Sequence, residues 1–378
     1  MEQKPQPQKT NTVDVTKKDH FSKIKSYLHK KPPKKRLMIV AGVSAFILIA
    51  GGAAAFTLIK NPVEENPEPE VVSTYVAPPE PIYSPLTGIS VTEAQAARPV
   101  TGVMIENSID ARPQSGLVDA GVVFEAIAEG GITRFLALFQ EDRPGSIGPI
   151  RSARPYYVEW AKGFDASYLH VGGSPEGLAL IRTLGVKDLD QSTYGDRIAS
   201  RVSSRFAPHN MYSDFDRIDN LNNDLGYTSS KFTPFTRKEP AEVDPSVPLT
   251  ATKISFDISG ANYNTSYTYN QETNSYARVM ASRPHNDQTT GKQISPNVVV
   301  AMITDYGIHP NRIHSVYRTT GTGEILVFQD GKVTKGTWKK PSQSASLEFI
   351  NEAGEPMELN PGQKWITAVP PGRVSYTP

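Results

Sequence analysis

Residues 122–140 read VVFEAIAEGGITRFLALFQ, and the fold turns on this stretch. Two runs with the aliphatic and aromatic content of strands, 122–130 and 132–140, flank Gly130-Gly131. Glycine supplies the positive φ angles that a tight connection needs, so the stretch reads as a β-hairpin. Around it, VTGVMIE (100–106) and ASYLHVGG (166–173) are further β-prone runs. RPYYVEWAKGF (154–164) reads as a helix with Pro155 in its first turn, and PEGLALIRTLG (175–185) as an amphipathic helix stopped by Gly185. Strand and helix signals alternate, which predicts a mixed α/β domain over residues 85–240.

From residue 252 the texture changes. KISFDIS, a tyrosine-rich run, NVVVAMITDY, EILVFQDGKVTKGTW and KWITAVP are short strands separated by Gly, Asn and Asp turns. Asp330-Gly331 lies between two of them as a hairpin turn. Residues 252–378 are therefore expected to form a small all-β domain, joined through the proline-rich RKEPAEVDPSVPLTAT. Trp338 and Trp365 are expected in its core. The fold class is α+β.

Upstream, residues 37–59 run from Leu37 to Ile59 without a charge. At about 1.5 Å per residue they would span roughly 34 Å as a helix, enough for a hydrocarbon core of about 30 Å. They are expected to be one transmembrane helix, with the lipid bilayer as its partner. Residues 1–36 form a polar tail carrying most of the nearby lysines, and 60–84 a Pro/Glu-rich linker. Residues 1–60 hold 12 basic and 3 acidic residues (+9), and the remainder 28 basic and 36 acidic (−8). The positive-inside rule then leaves the N-terminus cytoplasmic and the later domains extracytoplasmic, single-pass. An acidic exported part has no field for nucleic acid. The absence of cysteine excludes disulfides, thiolate metal sites and a cysteine nucleophile.

Candidate site residues cluster in three places. Arg151 and Arg154 stand in GPIRSARP (148–155), where a loop enters a helix. Arginine's planar fork suits phosphate or carboxylate, and the alternative is a pair of surface ion pairs. Gly172, Gly173 and Ser174 lie between a strand and a helix. A serine nucleophile is excluded because Pro175 lacks the N–H an oxyanion hole would need; Ser174 reads as an N-cap, with the glycines allowing close approach of a ligand. Arg205 and His209 lie in RVSSRFAPHN (201–210), and Arg134 on the hairpin faces Glu125 and Glu129. Those carboxylates could hold Mg²⁺ only with a substrate phosphate; no metal or other cofactor is expected otherwise. The histidines show no zinc spacing, and RPHND (283–287) reads as a polar loop.

EGGITRF (129–135), IGPIRSARP (147–155), YLHVGGSP (168–175) and APHNMY (207–212), with the later NVVV, GTW and GQKWI, resemble the YerB-like bacterial lipoprotein family. The resemblance runs from about residue 85 to the end. It implies a two-domain extracytoplasmic protein of the bacterial envelope whose molecular function is not established. The family's lipobox cysteine is absent here, and the transmembrane segment stands in its place. A looser similarity joins Arg134, Arg151 and residues 168–176 to LytR-CpsA-Psr phosphotransferases, which are anchored by one helix and hold a lipid pyrophosphate with arginines. Their strand arginine is followed by a metal-binding aspartate, whereas Arg134 is followed by Phe135-Leu136. Three functions are thus expected in order. The first is binding of an anionic, phosphate-bearing envelope ligand through Arg134, Arg151, Arg154 and Arg205, with Gly172–Ser174 and His209 beside them. The second is phosphotransfer onto an envelope polymer from a lipid pyrophosphate. The third is a non-catalytic envelope scaffold.

Overall fold

The computed structural model describes residues 80–239 and 246–378. The expected tail (1–36), the membrane span (37–59) and most of the linker (60–84) lie outside them, as does part of the proline-rich join. Among the described residues no helix is long and apolar enough to cross a membrane.

In chain order come α1 (Glu93–Ala96), β1 (Thr101–Glu106), β2 (Val122–Glu129), β3 (Ile132–Phe139), α2 (Pro155–Gly163), β4 (Ser167–His170) and α3 (Pro175–Leu184). They are followed by β5 (Lys187–Asp190), α4 (Gln191–Tyr194), β6 (Ser200–Arg201), β7 (Met211–Tyr212) and α5 (Phe215–Asp224). The second part is all strand: β8 (Lys253–Phe256), β9 (Thr265–Asn270), β10 (Ser275–Met280), β11 (Arg283–Pro284), β12 (Val298–Ile303) and β13 (Tyr306–Ile308). It ends with β14 (Ser315–Tyr317), β15 (Gly321–Gln329), β16 (Lys332–Lys340), β17 (Glu348–Asn351), β18 (Lys364–Val369) and β19 (Val374–Thr377).

The expected local chemistry is present. Gly130 and Gly131 turn the β2–β3 hairpin with φ of 58° and 79°, and Asp330 and Gly331 turn β15–β16 with φ of 56° and 67°. Pro155 opens α2, Ser174 caps α3 by accepting from the Gly177 N–H, and Gly185 closes α3 in the left-handed region. Trp338 and Trp365 are fully buried.

The sheet crosses the join. Ten strands run in the order β17-β16-β15-β12-β18-β2-β3-β1-β4-β5, so β18, near the C-terminus, lies parallel to β2 of the hairpin. Segments 85–240 and 252–378 differ in texture as expected, yet both supply strands to this sheet. A second sheet, β11-β10-β9-β8-β19, belongs to the later segment alone. Period-2 alternation divides the large sheet's side chains between two cores. Met104, Phe124, Ala126, Leu136 and Ile366 pack with Tyr156, Tyr157 and Trp160 of α2. Val103, Val123, Phe135 and Trp365 pack with Phe215 and Ile218 of α5 and with Ile254, Tyr267 and Tyr276 of the second sheet.

Since β2 and β18 are buried along almost their whole length, neither forms a tolerable open edge. A fragment of residues 85–240 should therefore show no cooperative thermal transition, whereas residues 80–378 should unfold in one. A sharp transition for the shorter fragment would mean that β2 does not need β18.

Candidate functional site

Glu129 sits at the end of β2, and a break in strand register decides what it touches. Ala126 pairs with Arg134 and Ile127 with Thr133, but Glu129 pairs with Ile132, so an irregularity lies between Ile127 and Glu129. Strict alternation would put Glu129 on the face of Glu125 and Ile127. The extra residue instead turns it to the α2 face, where Arg134 emerges. Arg134 Nη2 donates to Glu129 Oε1, and its Nη1 donates to the Ser152 carbonyl at 2.9 Å. Arg154, the residue before α2, donates to Glu129 Oε2 from Nε at 3.2 Å and from Nη2 at 2.7 Å, and from Nη1 to the Ala153 carbonyl at 2.7 Å. One carboxylate thus serves two guanidinium groups whose side chains are 5% and 7% exposed. Burial, and after it the adjacent Arg154, pulls the Arg134 pKa down from the ordinary arginine value.

A second carboxylate lies next to this pair. Glu106 ends β1, directly across from Arg134 in the β1–β3 register. Its Oε1 lies 3.1 Å from Arg151 Nη2, 2.9 Å from His209 Nδ1 and 2.8 Å from Ser108 Oγ. Ser108 and Glu106 both address the same imidazole nitrogen, which rules out a serine–histidine–carboxylate relay with opposite nitrogens engaged. Glu106 Oε2 and Arg151 Nε are buried and have no hydrogen-bond partner among the described residues. The Arg151 side chain is 28% exposed, the most open of the three arginines.

Of the expected site residues, Arg134, Arg151, Arg154 and His209 gather on two carboxylates at one end of the β1–β3 pair. The Gly172–Ser174 loop is beside them, since Ala153 bridges to Gly173 and the Ala153 N–H donates to the Gly172 carbonyl at 2.9 Å. Its glycines have structural reasons to be there. Gly172 has φ of 55°, and a Cβ on Gly173 would lie 3.1 Å from Leu178 Cδ2 and 3.2 Å from Ala153 Cβ. The Gly172 N–H donates to Asp190 Oδ1 at 2.8 Å, and Ser174 is taken up by capping. Arg205 is bound elsewhere: its guanidinium donates to the carbonyls of Asp110 and Pro113 and to Gln288 Oε1, tying two loops to the second sheet's segment.

The sequence reading missed Glu106, and it paired Glu125 with the wrong arginine. Glu125 is wholly buried on the opposite face of the sheet, bonded to Arg278 Nη2 at 2.9 Å, Trp365 Nε1 at 3.0 Å and Thr133 Oγ1 at 3.1 Å. Arg278 shares the inward face of β10 with Tyr276 and Met280, a period-2 signal visible in SYARVM. The RPHND segment is also less open than a polar loop: His285 is 4% exposed. Its Nδ1 accepts from Arg278 Nε at 3.0 Å, so its Nε2 carries the proton given to Gln114 Oε1 at 3.0 Å. Burial, then Arg278, then Arg112 hold His285 well below the usual histidine range.

A magnesium ion finds no ready oxygen set here. Both Glu129 oxygens and Glu106 Oε1 are engaged by cations, Phe135 is a buried apolar residue, and among the described residues no three acidic or imidazole groups are arranged for a metal. What the arrangement offers chemically is a carboxylate-poor guanidinium cluster. Replacing Glu129 with Gln leaves two buried guanidinium groups against a neutral amide. Glu129→Gln should cost about 2 kcal/mol in denaturant unfolding, below the full cost of a broken buried pair because Glu129 is 28% exposed. A change within about 0.5 kcal/mol, the size of an ordinary surface substitution, would contradict the shared-carboxylate reading.

Comparison with known proteins agrees with this architecture. The N-terminal domain of the protein family of unknown function DUF3048 matches residues 86–228, and its C-terminal domain matches residues 254–366. YerB of Bacillus subtilis (strain 168), whose name describes it as a lipoprotein, is 28% identical over 288 residues, covering 76% of this chain and 86% of that protein. The crystal structure of Bacillus subtilis YerB matches with a TM-score of 0.71 at 28% identity, covering 79% of this chain and 100% of the other. With both domains matched in order and the YerB fold shared, the chain belongs to the DUF3048 family and is a YerB-like protein.

Proposed function

We propose that this chain is a membrane-anchored, extracytoplasmic protein that binds an anionic, phosphate-bearing component of the cell envelope through Arg151, Arg154 and Arg134. Support for the location comes from the charge-free run at 37–59 with its flanking charge asymmetry, and from the lipoprotein name of YerB. The observation that carries the binding function is the sharing of Glu129 by two buried guanidinium groups. Burying two cations against one anion leaves an excess positive charge in a poorly solvated place, where an incoming oxyanion is strongly favoured. Arg151, the most exposed of the three and with its buried Nε unpaired among the described residues, is the group an arriving phosphate meets first. Its charge-assisted hydrogen bonds are worth roughly 1.5–3 kcal/mol each.

Phosphotransfer at the same place is a second reading, and its one supporting observation is the His209–Glu106 contact beside Arg151. Proton transfer to or from a phosphate-bound hydroxyl would fall to His209.

Calorimetric titration of the full chain in detergent with inorganic pyrophosphate tests the binding function. Arg151→Ala should weaken binding by about tenfold or more, a difference of about 1.4 kcal/mol, and Arg151→Lys should recover only part of it because an ammonium cannot make the forked contact. No saturable binding, or equal affinity in Arg151→Ala, would overturn the proposal. Turnover of a lipid-pyrophosphate-linked glycan that is lost in His209→Gln would favour the second reading.

A further inference from the structure

A second cleft of about 550 Å³, lined by none of the residues of the Glu129 cluster, lies between the loop carrying Ile109 and Arg112 and the chain from Met280 to Asn286. That volume suits a small molecule. Arg112 is half-buried in its wall. Its Nε and Nη2 each donate at 3.0 Å to Asn107, to the side-chain and backbone oxygens respectively, and its guanidinium stacks 5.1 Å from the Tyr263 ring centre. Neither contact neutralises its charge. The buried carboxylate within electrostatic reach is Glu125, and that is already bonded to Arg278. Asp110, in the same loop, is 80% exposed and contacts His209 at 4.0 Å.

Arg283 is the second guanidinium lining the cleft. It is exposed, and among the described residues its side chain makes no hydrogen bond or ion pair. The turn that sets it there is unusual: Ala281 and Ser282, between β10 and β11, have φ of 51° and 60°. A two-residue hairpin of this kind needs positive φ at both loop positions, and residues with a Cβ seldom fill them. The turn holds Met280 and Arg283 opposite one another. Asn262 and Asn286 add amide groups to the cleft, while Ile109 and Met280 give it an apolar side.

We propose that this cleft binds a small molecule carrying an oxyanion on an apolar ring or chain. Arg112 and Arg283 take the oxyanion, the two asparagine amides orient polar substituents, and Ile109 and Met280 cover the apolar part. The contacts support this: Glu125 is paired with Arg278, Arg112 donates only to neutral oxygens of Asn107, and among the described residues neither Arg112 nor Arg283 forms an ion pair. An oxyanion between Arg112 and Arg283 supplies the missing negative charge.

The test uses full-length protein labelled with ¹³C at methionine methyl groups, the Met280 resonance being assigned through Met280→Leu. Phenyl phosphate, benzoate and uncharged benzyl alcohol serve as probes. Phenyl phosphate, benzoate or both should shift the Met280 signal saturably, and benzyl alcohol should not. The preferred anion then separates a phosphate from a carboxylate ligand. Arg283→Glu, which breaks no side-chain hydrogen bond or ion pair among the described residues, should weaken the response about tenfold or more. Arg112→Gln should do the same, and Arg151→Ala should leave it unchanged. The absence of a saturable shift with either anion, an equal response to benzyl alcohol, or insensitivity to Arg283→Glu would overturn the proposal. Loss of the shift in Arg151→Ala would do so too, since it assigns the anion to the other cluster.

Discussion

The pairing of β18 with β2 is the contact on which the rest of the molecule depends. Lys364 through Thr367 run parallel to Val122 through Glu125, placing a strand from the end of the chain against the central hairpin. At that seam Glu125 is bonded to Arg278 of the second sheet and to Trp365 of β18, all wholly buried. A buried ion pair adds little net stability over apolar packing, but leaving one partner alone is costly. The pair therefore acts as a constraint: Glu125 is tolerable only when the later segment is docked. The His285–Gln114 bond extends the same network toward the loop that follows β1.

On the other face of the hairpin, one residue out of register gives Glu129 its role. Strand alternation alone would separate it from Arg134, and the irregularity after Ile127 brings them together. Arg154 then joins because Pro155 starts α2 there, fixing the backbone from which its side chain reaches back to β2. The cluster is built on strands and a helix start rather than on long loops, so its guanidinium groups are held before any ligand arrives. Such preorganisation lowers the ordering cost of binding. Arg151 is the exception, with a more open side chain and one carboxylate partner.

Much of this was legible in the residues themselves. The hairpin at Gly130-Gly131, the Pro155 and Ser174 helix starts, the Gly185 stop and the Asp330-Gly331 turn are local chemistry, and each was read where it stands. The all-strand character of the later segment was legible too. Long-range pairing was not: nothing in KWITAVP says that this strand's neighbour is residues 122–125. Arg134, Arg151, Arg154 and His209 were legible as a set of candidate residues, but the carboxylates they share were not. Glu129 was visible as an acid near Arg134, although its face is set by an irregularity that hydropathy does not mark. Glu106 looked like the polar end of a strand. The glycines at 172 and 173 suggest room for a ligand in the sequence, but the positive φ of Gly172 and the packing of Gly173 against Leu178 and Ala153 require them structurally. Arg205 had the right residue type in the wrong place, because the loop that carries it is tied to Asp110, Pro113 and Gln288.

The carboxylate-poor arginine cluster is the centre of the functional account, and it invites one direct measurement. A crystal structure of the protein grown with inorganic pyrophosphate would show where the anion settles. The account predicts phosphate oxygens about 2.7–2.9 Å from the Arg151 guanidinium, with Arg154 turned toward the same anion. Pyrophosphate at saturating concentration with the Arg151 surroundings unoccupied, and both Glu129 contacts unchanged, would contradict it.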